Sequence, residues 1–163
     1  MRTIGIGLIA AAALCVAGAD AAPLRATDVP GTYELVDRTL ADGKVLRPPQ
    51  IAGLYLFTHG RGSLNLFLRK PDGTWASESS IMRYTLSATR YCEWILNTTR
   101  KDLDAPGVTN EAPKVASHCS AVRTGGGRVV FAPPGESVTT TFDRHGFTAV
   151  IKGEFTDRWR KLD

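Results

Sequence analysis

From residue 31 onward the chain is written in short alternating runs. Thr32 to Leu40 sets Tyr33 and Leu35 against Glu34 and Arg38, and Asp42-Gly43 then turns it. A period of two places successive side chains on opposite faces, the mark of a half-buried strand. Gly53 to His59 (GLYLFTH) and Ser63 to Arg69 (SLNLFLR) flank Gly-Arg-Gly, whose glycines accept the positive φ of a hairpin. Leu64, Leu66 and Leu68 share one side of the second run, which predicts a buried face. Pro48-Pro49 interrupts the ladder because proline has no amide to donate. KPDGT makes a further turn, followed by a polar stretch through Glu78. Strands are predicted again at Ser80–Ser87, Arg90–Thr99, Ser117–Arg123, Gly127–Ala132, Val138–Phe142, Phe147–Lys152 and Glu154–Leu162. Residues 100–116, with Pro106, Pro113 and mixed charge, read as a long surface loop.

No amphipathic helix interrupts this pattern, and most connections are short. Such a meander must protect its outer strands from pairing with other chains, and closure does so. The predicted fold class is therefore all-β: an antiparallel up-and-down β-barrel of about eight to ten strands.

The first residues follow a different rule. Arg2 precedes an uncharged apolar run from Ile4 to Val16, and AGADAA supplies the small residues a signal peptidase reads. The run is shorter than the roughly 20 apolar residues that span a bilayer. Residues 1–21 are read as a signal peptide carrying Cys15 away, residues 22–30 as a lead-in, and residues 31–163 as one barrel domain. The expected location is the periplasm or the exterior, with no transmembrane segment in the mature chain.

The net charge of +4 comes from scattered basic residues. A nucleic-acid surface would gather them into a stripe with interleaved aromatics, so nucleic acid is not an expected partner. After export the remaining cysteines, Cys92 and Cys119, are expected to form a disulfide in an oxidising compartment. Their loop length corresponds to about 3.5 kcal/mol of stabilisation in the chain-entropy treatment.

Four segments, GTYELVDRTLADGKVL, GLYLFTHGRGSLNLFLRKPDG, YTLSATRYCEWI and FTDRWRKL, together resemble the bacterial lipocalin-like domain, a member of the calycin barrels. The resemblance covers most of Gly31 to Leu162 and is weakest across residues 100–127. It implies a ligand-binding barrel without specifying the ligand. Lipocalins carry Gly-x-Trp in the first strand and an arginine from the last strand packed on that ring. Here Gly31-Thr32-Tyr33 stands in the first place, and Arg158 or Arg160 in the second. A guanidinium over an aromatic face contributes about 0.5–2 kcal/mol. The resemblance thus implies that Gly31, Tyr33 and one of the two arginines close the barrel.

Alternation nominates Leu54, Leu56, Leu64, Leu66, Leu68, Met82, Tyr84, Trp94, Phe131, Phe142 and Phe147 for the interior, as core residues or as the lining of a ligand site. His59, His118 and His145 have no metal-binding spacing, so no metal or cofactor is expected. No nucleophile elbow is present, and Glu93 alternates onto the Tyr91/Ile95 side, where it either turns inward with Arg83 or Arg90 or, more commonly for such a residue, makes a cross-strand surface ion pair. No catalytic residue is therefore assigned. The leading expectation is an exported barrel that binds a small hydrophobic molecule: a lipid, an isoprenoid or an aromatic compound. The alternative is an envelope interaction protein or enzyme inhibitor that presents loop 100–116 or the segment Ala22–Pro30. An isomerase or cyclase working inside the barrel stands third.

Overall fold

The computed structural model describes residues 23–70, 72–101, 107–111 and 118–163. The signal-peptide reading of 1–21 lies outside the described residues, as do parts of the 100–116 stretch. A 3-10 turn at Ala26–Asp28 leads into thirteen strands. They are β1 Gly31–Leu40, β2 Val45–Leu46, β3 Ile51–Thr58, β4 Arg61–Arg69, β5 Trp75–Leu86, β6 Arg90–Lys101 and β7 Val108–Glu111. After them come β8 His118–Ala121, β9 Arg123–Gly125, β10 Arg128–Phe131, β11 Val138–Phe142, β12 Gly146–Ile151 and β13 Phe155–Lys161.

All belong to one antiparallel sheet ordered β7-β6-β5-β4-β3-β1-β13-β12-β11-β10-β9, with β2 on β1 and β8 on β6. The sheet curls into a half-barrel, consistent with the predicted all-β, barrel-like class. The first and last strands pair directly, Tyr33 opposite Lys161 and Leu40 opposite Phe155. β8 and β9 form a single run of chain divided at Val122. Its first half pairs with β6 and its second with β10, so this run connects the two ends of the sheet. Cys92 and Cys119 form a disulfide and face each other across β6 and β8.

The concave side is filled with aromatic rings at the end where β1 begins. Tyr33 meets Phe57, Phe142 and Phe147 edge-on at 6.4, 5.7 and 5.1 Å. Phe131 stacks on both Tyr91 and Phe142 at 4.3 and 5.5 Å, and Phe147 stacks on Trp159 at 5.3 Å. Such stacked and edge-on pairs add about 0.5–1.5 kcal/mol each to the area they bury.

Several expectations are corrected here. Residues 100–116 are not all loop: β6 runs to Lys101, and Val108–Glu111 adds to its margin, Thr109 opposite Arg100. Pro106 and Pro113 lie outside these four positions in the sequence, and both fall outside the described residues. The polar stretch from Trp75 to Glu78 is also strand, because Ser77 and Glu78 pair with Phe67 and Leu66 of β4. The phase of β3 is opposite to the nomination of Leu54 and Leu56. Ile51 and Phe57 are buried, whereas Leu54 is 39% exposed. GLYLFTH is apolar in both phases, so alternation cannot choose between them. Gly53 decides, since a Cβ there would meet Trp159 Cη2 at 2.6 Å and Leu35 Cβ at 3.1 Å.

Candidate functional site

The barrel-closing contact is made by a residue that the resemblance does not single out. Arg158 reaches outward to a bidentate pair with Asp37, and Arg160 reaches outward to Glu34 at 2.6 Å. Neither packs on Tyr33. The cation nearest that ring is Lys161, 5.9 Å from its centroid, whose Nζ donates to the carbonyls of Asp28 and Pro30 at 2.8 and 3.0 Å. Strand alternation explains the exchange: Tyr33 is opposite Lys161 in the register, and Arg160 shares the outer face with Glu34. Gly31 permits the approach, because a Cβ there would lie 2.5 Å from Lys161 Cε.

The nominated interior residues divide into three groups. Tyr84, Phe131, Phe142 and Phe147 belong to the aromatic packing and are buried. Met82 is buried against Gly62, with its Sδ 3.5 Å from the Tyr55 hydroxyl. Leu54, Leu56 and Trp94 lie on the outer face. Trp94 stands opposite Arg83 and, with Arg61 and Leu96, borders a shallow external groove of about 370 Å³. The third group, Leu64, Leu66 and Leu68, packs against the core from the concave side yet remains only partly buried.

Tyr55 shares that property and was not nominated. It stands opposite Leu64 on β4 and Tyr33 on β1, with its ring 4.4 Å from Phe57 and 6.1 Å from Trp159. Burial, together with the charges of Glu93 and Glu136, holds its hydroxyl well above the ordinary phenol range. It nevertheless keeps partial solvent access. We call the concave side of the curled sheet, where Tyr55, Leu64, Leu66 and Leu68 keep partial exposure, the lumen.

Ionisable groups line the lumen opposite the leucines. Glu93 is 8% exposed, and one of its oxygens accepts from the Tyr91 hydroxyl. Burial raises its carboxyl above the usual range, against the opposing effect of that hydrogen bond. Glu136, in the turn after β10, is exposed. Desolvation among the surrounding strands, with Glu93 and Glu78 as neighbours, pushes it up to about 7. Arg100 pairs with Glu78 at 3.2 Å. Deeper along the β1–β13 seam, Arg38 makes a two-pronged pair with Asp157 at 2.6 and 2.7 Å and lies 3.8 Å above the Phe155 ring.

Alternation signalled Glu93, but nothing in the sequence signalled the raised carboxyl of Glu136, which stands in a Pro-Gly turn. Among the described residues no group of three or more His, Cys, Asp or Glu is placed to hold a metal ion. His59 and His145 are exposed in separate turns, and His118 lies opposite Glu93 on β8. No described helix is long and apolar enough to cross a membrane.

No family model, curated protein or solved structure matches the chain. The reading of function therefore rests on the lumen.

Proposed function

We propose that this is an exported lipocalin-like domain that binds one small hydrophobic molecule, with a polar end, inside the curled sheet. The supporting observation is the partial exposure of Tyr55, Leu64, Leu66 and Leu68 on the concave side of the sheet. An apolar wall that solvent reaches inside a half-barrel is a surface that a ligand would cover. Leu64 to Leu68 extends about 13 Å at the ordinary strand rise, long enough for a short acyl chain or a pair of rings. The aromatic packing below sets the floor. Glu93 and the Glu78–Arg100 pair supply the polar groups that fix orientation.

Fluorescence titration with the neutral apolar probe N-phenyl-naphthylamine tests the reading. The probe is expected to bind at one site and to be lost in Leu66→Arg, which puts a charge in the middle of the leucine row. Leu54→Arg, on the outer face of the adjacent strand, is expected to bind as the unaltered chain does. Absence of probe binding, or retention in Leu66→Arg with loss in Leu54→Arg, rejects the lumen as the site.

A further inference from the structure

Of the six large apolar side chains exposed among the described residues, four stand on the outer face of β3, β4 and β5: Leu54, Phe67, Trp75 and Ile81. They share that face with exposed Arg61, Arg69 and Arg83, and Lys101 extends it onto β6. No aspartate or glutamate points outward from these four strands. Glu78 and Glu93, the acidic residues they contain, both turn to the concave side, Glu78 opposite Leu66 and Glu93 bonded to Tyr91. The β1–β13 seam is built otherwise, for its outward Arg158 and Arg160 pair with Asp37 and Glu34. Arg61, Arg69, Arg83 and Lys101 enter no ion pair among the described residues.

Arg61 and Arg83 are directly opposite in the register, and Arg83 is opposite Trp94. Like charges opposed across two strands repel, so an anion lying over them would relieve a cost the sheet carries alone. Both arginines, with Trp94 and Leu96, border the shallow external groove of about 370 Å³. The face extends about 25 Å along β4 and about 14 Å across the four strands at ordinary rise and spacing. β4 and β5 have a paired neighbour on each side, so no partner strand can add to them, and the face offers side chains alone. Aromatic and aliphatic side chains interleaved with cations suit the boundary between anionic headgroups and acyl chains. The outer face of a curled sheet is convex; lipid adapts to that shape, whereas a folded acidic protein would need a matching hollow.

We infer that the outer face of β3–β6 docks on an anionic lipid surface, with Arg61, Arg69 and Arg83 against the phosphates and Phe67, Trp75 and Ile81 set among the upper acyl segments. The docking uses none of the concave residues, so it stands or falls apart from the lumen reading.

Sedimentation with vesicles of mixed phosphatidylglycerol and phosphatidylcholine, against vesicles of phosphatidylcholine alone, tests it. Residues 1–22 are present in every arm, so any affinity they have for lipid is common to all. The unaltered chain is expected to prefer the anionic vesicles, and the preference should weaken as salt rises. Arg61→Ser with Arg83→Ser should cut binding to those vesicles about thirty-fold. Loss of their mutual repulsion means that this variant should melt no lower than the unaltered chain. Phe67→Ser with Ile81→Ser, both at exposed positions, should weaken binding about ten-fold or more. Arg123→Ser with Arg128→Ser removes the same charge from exposed positions of β9 and β10 and should bind as the unaltered chain does. Equal binding to both kinds of vesicle, undiminished binding in either outer-face variant, or an equal loss in the Arg123–Arg128 variant overturns the assignment. Capture of soluble poly-aspartate as tight as that of the anionic vesicles also overturns it, and makes an acidic polypeptide the partner instead.

Discussion

The hydroxyl of Tyr33 donates to the carbonyl of Val29, four residues earlier in the chain. The ring at the centre of the aromatic packing therefore also anchors the lead-in segment, and Val29 is itself 1% exposed. Tyr33→Phe keeps the ring and leaves a buried carbonyl unpaired. Urea unfolding is expected to show a loss of about 1–2 kcal/mol, and proteolysis within residues 23–30 should accelerate. An unchanged midpoint would show that water satisfies that carbonyl.

Arg38 and Asp157 form an almost fully enclosed ion pair between the first and last strands, with side chains 11% and 5% exposed. Asp157→Ala would leave a guanidinium buried without its partner. The expected cost is about 3–5 kcal/mol in urea or thermal unfolding. The double change Arg38→Met with Asp157→Leu should recover most of that loss, because it removes both charges and fills the space.

Two glycines on the β12–β13–β1–β3 side face different obstacles. A Cβ at Gly53 would strike the ring of Trp159, which can tilt, and Gly53→Ala is expected to cost about 1–3 kcal/mol. A Cβ at Gly146 would lie 1.8 Å from the Trp159 carbonyl oxygen, and backbone in a paired strand cannot yield. Gly146→Ala should lose about 3 kcal/mol or more or fail to accumulate as folded protein. Thermal melts of the two variants side by side check the ranking.

Stability should also depend on pH in an unusual direction. Glu136 holds its proton up to about 7 in the native state but releases it near 4.5 when unfolded. Glu93 is raised in the same sense by burial. Between those values the native state binds more protons than the unfolded chain, so stability falls as pH rises from about 4.5 to about 7. Asp37 acts oppositely: the Arg158 hydrogen bond lowers its carboxyl, and that contribution is lost as pH falls through the acid range. Urea midpoints should therefore peak near about pH 5 and decline toward neutrality. Glu136→Gln should flatten the decline, and a decline of unaltered slope would contradict this assignment.

Reduction of the Cys92–Cys119 bridge should have a local as well as a global effect. The loop it closes corresponds to about 3.5 kcal/mol, the loss expected for Cys92→Ala with Cys119→Ala. Amide exchange should rise first in β8, which pairs with β6 through only the four positions from His118 to Ala121.

Period-two patterning gave the strands their places wherever polar residues marked one face, as in β1, β11 and β12. It lost the phase where both faces were apolar. Tyr55 and Phe57 are indistinguishable from Leu54 and Leu56 until Trp159 comes to lie over Gly53. In β6 a bulge near Leu96 shifts the register between Ile95 and Asn97, a displacement that composition does not announce. Leu64, Leu66, Leu68 and Glu93 could be placed on the concave side from alternation alone. A turn residue such as Glu136 carries no period, so alternation says nothing of where it stands.

The place of β1 has a consequence for biogenesis. It leaves the ribosome well before β13, yet it lies between β3 and β13 in the sheet. Folding in the order of synthesis therefore leaves one side of β1 without its hydrogen-bonding partner until β13 has been made. A chain stopped before Phe155 would expose that edge together with the rings of Tyr33 and Phe147, a template for association between nascent copies. A chain held extended until β13 has followed avoids this hazard.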